Sequence, residues 1–117
     1  MSIKTFHDLH CWQKGHELVL EIYKLTKNFP SDERFGLVAQ VRRSSVSICA
    51  NIAEGQKKSR NDFLRFLSIA EGSLEETKYH LLLSRDLGYL NLSEYGQTIK
   101  LAGDVGKILS GLIQSLK

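Results

Sequence analysis

The sequence predicts an all-α fold, an antiparallel up-and-down four-helix bundle in one domain spanning residues 1–117. Three observations carry this. Apolar residues recur at steps of three and four, as on a helix face, and no stretch alternates apolar and polar residues as a strand would. Pro30 is the sole proline, so long helices can run uninterrupted. The breaks between periodic stretches are short, and short connections join antiparallel neighbours. With 42% hydrophobic and 25% charged residues, the chain has ordinary globular composition and enough apolar mass for one core.

The first helix is expected from about His7 to Asn28. Cys11, Gly15, Leu18, Ile22, Leu25 and Phe29 line one face; Leu9, Trp12, His16, Val19 and Tyr23 line a second, aromatic-rich one. One apolar face suffices for a bundle core. The second is covered either by the ends of other helices or by another subunit. On the latter reading Leu9, Trp12, His16, Val19 and Tyr23 are an oligomer interface.

Pro30 ends this helix, because the residue before a proline is pushed out of helical geometry. Ser31 is the expected cap of the second helix, with Asp32 and Glu33 favourably placed near its positive end. That helix, Phe35 to Lys58, is the centre of the pattern. Val38, Val41, Ser45, Ile48, Cys49 and Ile52 form an inward stripe; Gln40, Arg43, Ser47, Asn51, Glu54 and Lys58 form a polar one. Ser59 caps the third helix, with Asp62 three positions on, and Gly88 ends it. Its core stripe is Phe63, Phe66, Leu67, Ala70, Leu74, Thr77 and Leu81, flanked by Glu71, Glu75 and Glu76. Asn91 or Ser93 caps the fourth helix, and Glu94 completes a capping box with Asn91. The fourth helix is apolar along Leu101, Val105, Ile108, Leu109, Leu112 and Leu116, and small along Gly96, Gly103, Gly106 and Ser110, which suggests close approach of another backbone. Folding the second and third helices about Lys58 and Ser59 puts Arg42 level with Glu75 and Val46 level with Glu71.

The strings FHDLHCWQKGHEL, IYKLTKNFP, FGLVAQVRRSSVSICANIAEGQKKSR and FLRFLSIAEGSLEE resemble the four-helix-bundle family named after proteins encoded in intervening sequences of bacterial 23S ribosomal RNA genes. RRSSVSICANIAEG and IAEGSLEE are the most specific parts; the match runs to about Leu90, and beyond it only the general character agrees. Arg42, Arg43, Asn51, Glu54, Gly55 and Glu75 stand at family-like positions. The resemblance implies a cytoplasmic bacterial protein and a homo-oligomer, since related proteins form ring-like pentamers. It also implies nucleic acid and a reverse transcriptase as partners, because a similar protein accompanies the transcriptases of diversity-generating retroelements. The family name describes gene location and not a ribosomal role.

The net charge of +3 permits contact with nucleic acid without the strong basicity of a dedicated tail. Lys57, Lys58, Arg60, Arg65, Arg42 and Arg43 are the candidate RNA- or DNA-binding residues, as cations spaced along a surface can meet phosphates. Lys57, Lys58 and Arg60 have no evident carboxylate neighbour, whereas Arg42 and Arg43 are expected to pair with Glu71, Glu75 or Glu54. A protein-binding scaffold is the alternative reading.

No enzyme is expected. Glu76 and His80 lack the second motif of a di-iron bundle, and His7 and His10 lack further metal ligands nearby. His16 is expected to pack beside Trp12. Ser44, Ser45, Ser47 and Cys49 sit mid-helix without a histidine near in sequence, and no glycine-rich phosphate loop is present, so neither a cofactor nor a catalytic residue is assigned. Cys11 and Cys49 read as reduced packing residues of a cytoplasmic protein. The first residues lack the apolar run of a signal peptide, and no stretch approaches the ~20 apolar residues of a membrane span.

Overall fold

In the computed structural model, which describes residues 4–117, the periodic stretches form α1 (His10–Thr26), α2 (Leu37–Gly55), α3 (Arg60–Asp86) and α4 (Leu92–Leu116). Each helix packs on its two neighbours in a square: α1 on α2 and α4, α3 on α2 and α4. The long dimension of 43 Å is close to the length of α3, whose 27 residues rise about 40 Å. One end of the bundle therefore carries the start of α1, the α2–α3 hairpin and the end of α4. No helix among the described residues is long and apolar enough to cross a membrane.

The inward stripes meet as read. Leu18 and Ile22 of α1, Val41, Ile48 and Ile52 of α2, Leu67, Ala70 and Leu74 of α3, and Ala102, Val105 and Leu109 of α4 form one core. Ser59 accepts a hydrogen bond from the Asp62 N–H, and Asn91 accepts from Glu94 while the Glu94 carboxylate returns to the Asn91 N–H. Asn91, not Ser93, is thus the cap. Gly88 turns the chain with φ of 81°, a conformation that side chains with a Cβ resist.

The helix starts differ from expectation in two places. His7 is not in the first helix: Phe6–Asp8 is a 3-10 turn, Leu9 is extended, and α1 begins at His10. The Asp8 carboxylate accepts from the backbone N–H groups of Lys4 and Thr5, which stabilises this separate turn. Ser31 does not cap the second helix either. Residues Ser31–Glu33 make a 3-10 turn and α2 begins only at Leu37. Gly36 takes the N-cap position, and Glu33 supplies the acceptor from outside the helix: its Oε1 accepts from the Leu37 N–H at 3.2 Å while Oε2 accepts from the Tyr89 hydroxyl at 2.9 Å. One carboxylate thereby ties the α1–α2 and α3–α4 connections together, and the same bond raises the Tyr89 hydroxyl above its usual pKa.

The α2–α3 register is shifted by close to one turn from the expected one. Ser44 meets Thr77 at 2.8 Å and Ser47 meets Ser73 at 2.9 Å, hydroxyl to hydroxyl. The chain pivots in the first turn of α3 and not at Lys58–Ser59. Gly55 permits this: a Cβ there would lie 2.6 Å from the Phe66 Cβ.

Candidate nucleic-acid interface

Adjacent residues on a helix point about 100° apart, and this separates the two arginines of α2. Arg43 faces α3 and pairs with Glu76 at 2.7 Å, with Gln40 accepting a second bond. Arg42 faces α1 instead. Its Nε donates to the Thr26 hydroxyl at 2.9 Å, its Nη2 to the Tyr23 carbonyl, and its guanidinium lies 4.4 Å from the Tyr23 ring centre. The expected Arg42 carboxylate is therefore replaced by the carbonyl end of α1, where a cation complements the helix dipole. Arg43 does find a carboxylate, though Glu76 and not Glu71, Glu75 or Glu54. Both arginines are thus engaged within the chain.

The hairpin cations differ. Lys57 and Lys58 are exposed, and among the described residues neither has a carboxylate within salt-bridge distance. Arg60 is exposed but donates to the carbonyls of Leu116 and Lys117, pinning the end of α4 to the start of α3. Arg65 pairs loosely with Asp62 at 3.6 Å and lies over the Phe66 ring. Among the described residues, Lys57 and Lys58 are thus the hairpin cations that no carboxylate or carbonyl engages.

The aromatic face of α1 is narrower than the sequence suggested. Leu9 and Val19 are buried within the single chain at 5% and 8% exposure, so neither belongs to an uncovered face. Trp12 is half-buried, His16 is exposed and Tyr23 is 38% exposed. His16 stacks on Trp12 as expected, with ring centres 5.0 Å apart and planes 7° from parallel. Missed in the sequence is the continuation of this cluster: Phe6 and His7, in the 3-10 turn, both reach the edge of Trp12. The signal was present as aromatic residues on both sides of Leu9, but a continuous helix would have sent them elsewhere.

The remaining polar groups are structural. Ser44 and Ser45 are buried and donate to the carbonyls of Val41 and Arg42, the back-bonding usual for hydroxyls inside helices. Glu76 Oε2 receives both Arg43 and His80 Nε2, at 2.7 and 2.9 Å. Those contacts, the His80 bond foremost, hold its carboxyl below the usual value. Burial pushes the Cys11 thiol up to about 11 and Cys49 up to about 12, so both stay protonated and unreactive at neutral pH. No three His, Cys, Asp or Glu residues converge as metal ligands among the described residues.

The profile of the 23S rRNA-intervening sequence protein family matches residues 7–111. The chain belongs to that family. The 23S rRNA-intervening sequence protein fold recurs in a crystal structure from Bacteroides thetaiotaomicron VPI-5482, described as a protein with unknown function from the S23 ribosomal protein family. The two are 31% identical with a TM-score of 0.81, over 89% of this chain and 95% of that one. The family match extends well into α4, beyond the Leu90 limit of the motif resemblance. No curated protein matches the sequence.

Proposed function

We propose that this member of the 23S rRNA-intervening sequence protein family is a non-enzymatic, self-assembling bundle that binds RNA or DNA through its hairpin end. The observation that carries the reading is the pair Lys57 and Lys58, exposed and without carboxylate partners at the tip of the α2–α3 hairpin. Two lysines per chain are a modest site. Copies arranged in a ring, with five subunits as the family resemblance implies, would repeat it and raise avidity without new contacts. The buried free thiols of Cys11 and Cys49 suit the reducing cytoplasm, where we place the protein.

Fluorescence anisotropy with labelled RNA and DNA at low and raised salt tests this. Binding should weaken steeply with salt, because cations meeting phosphates release counterions. Replacing both Lys57 and Lys58 by glutamate should abolish it and leave particle mass unchanged. Absence of binding at low salt defeats the reading. A second reading, a scaffold for another protein, is favoured by one feature: an open groove of about 820 Å³ between α3 and α4, lined by Gly72, Gly103, Gly106 and Ser110.

A further inference from the structure

Phe6 and His7 stack with ring centres 4.2 Å apart and planes 25° from parallel. Trp12 braces the pair edge-on, 4.8 Å from Phe6 and 5.0 Å from His7, and His16 backs Trp12 on its far side. The outer ring, His7, is exposed, while Phe6 beneath it is half-buried. Its position is fixed twice over. The Thr5 hydroxyl lies 3.2 Å from His7 Nδ1, and the Gln13 side chain donates to the His7 carbonyl at 2.7 Å. Little order remains to be gained when a flat ligand settles on it.

Unpaired lysines stand toward the same end of the bundle. Trp12 lies beside Cys49, whose thiol approaches the Trp12 carbonyl. Lys57 is eight residues further along α2 and its hairpin, about 12 Å by helical rise, toward the same end as His7. The neighbouring Asp8 carboxylate accepts from the N–H groups of Thr5 and Lys4, which lower its pKa and keep it ionised, so any attraction for phosphate comes from the lysines and not from the turn itself. A flat, solvent-facing ring at the same end of the bundle as unpaired lysines offers both parts by which proteins hold unpaired nucleotides: cations for the phosphates and a ring on which a base stacks. A duplex, whose bases are already stacked on each other, could use the lysines alone.

We infer that the Phe6–His7 pair is a base-stacking platform, and that the ligand at the hairpin end is a single strand of nucleic acid, one base resting on His7 and its phosphates on Lys57 and Lys58. This rests on the nucleic-acid reading above and sharpens it. Trp12 is the sole tryptophan of the chain, so its fluorescence reports on this cluster alone.

The test compares the full chain with its His7→Ala and His7→Phe variants. Each is titrated with an unstructured oligonucleotide of about 12 residues, within the usual single-strand site size, and with a hairpin duplex of equal phosphate count. The single strand should bind more tightly than the duplex and should change Trp12 emission. His7→Ala should weaken single-strand binding about tenfold and leave the duplex unaffected, and His7→Phe should restore it, since stacking needs only a flat ring. Equal binding of both ligands, unmoved by His7→Ala, overturns the platform and leaves the cationic reading standing. Failure of both ligands to bind overturns the two together. Because His7 is exposed and outside the helices, circular dichroism of either variant should match the parent.

Discussion

A single carboxylate oxygen, Glu76 Oε2, serves two partners on the outer side of the α2–α3 seam, the Arg43 guanidinium and the imidazole of His80. The contacts depress the Glu76 pKa, so the sign of its linkage is fixed: its stabilisation is fully present above the unfolded carboxyl pKa and is lost as pH falls through the lower folded value. With its side chain 40% exposed, solvent screening keeps the contribution to a fraction of about 1 kcal/mol. Urea midpoints of Glu76→Gln and the parent should therefore differ slightly at pH 7 and converge below pH ~4. A gap that persists undiminished well below pH ~4, where the carboxyl is protonated in both states, would contradict the assignment. At this scale the sequence was legible where contacts are local. His16 and Trp12 are four apart on one helix, and that spacing alone brings their rings together. Arg42 was not legible. Its direction depends on which flank of α2 faces α1, and a register error of one turn offered it a carboxylate it never meets.

Among the elements, α2 and α3 make the tightest pair, and small side chains are the reason. Hydroxyl pairs Ser44–Thr77 and Ser47–Ser73 bridge the helices, and Asn51 donates back to the Ser47 carbonyl. At the hairpin end Gly55 lets Phe66 close over the last turn of α2. Gly55→Ala should raise intrinsic helix propensity by ~1 kcal/mol. The added methyl, however, would lie 2.6 Å from a Cβ fixed to the backbone, which cannot rotate away. Overpacking of about 1–3 kcal/mol should therefore prevail, and the urea midpoint should fall. A rise would mean that the helices separate there at little cost. Caps at Ser59 and Asn91 and the stop at Gly88 were readable because each is a short-range pattern. The start of α2 was not. Glu33 supplies its acceptor from a 3-10 turn and is steadied by Tyr89, 56 residues away, a partner no local pattern identifies.

The whole molecule has two unlike faces, set opposite each other by the square of helices. On the α1–α2 side, Tyr23 and Val46 project at 38% and 41% exposure beside Arg42, which has no carboxylate partner among the described residues. On the α3–α4 side lies the glycine-lined groove, whose charges balance: Glu71, Glu75 and Lys78 on its α3 wall and Lys107 on its α4 wall. The small side of α4 suggests close approach of another backbone, yet within the chain none approaches Gly96 or Gly103, where a Cβ would meet nothing within 4 Å. For the proposed ring, a ridge on one face and an open groove on the other suit a heterologous contact, and such contacts close when the rotation between neighbours divides a full turn. This gives the proposed assembly a test with opposed signs. Gly103→Leu adds a side chain pointing into open space, so the isolated subunit should gain about 1 kcal/mol from helix propensity. The same side chain obstructs the groove. Melting at low protein concentration should shift upward, while light scattering should show smaller particles than the parent. Val46→Asp, on the ridge, should reduce particle mass to the same extent without the stabilisation, and combining the two should add nothing further, since either change removes the one shared contact. Full-size particles from Gly103→Leu would place the contact elsewhere on the molecule.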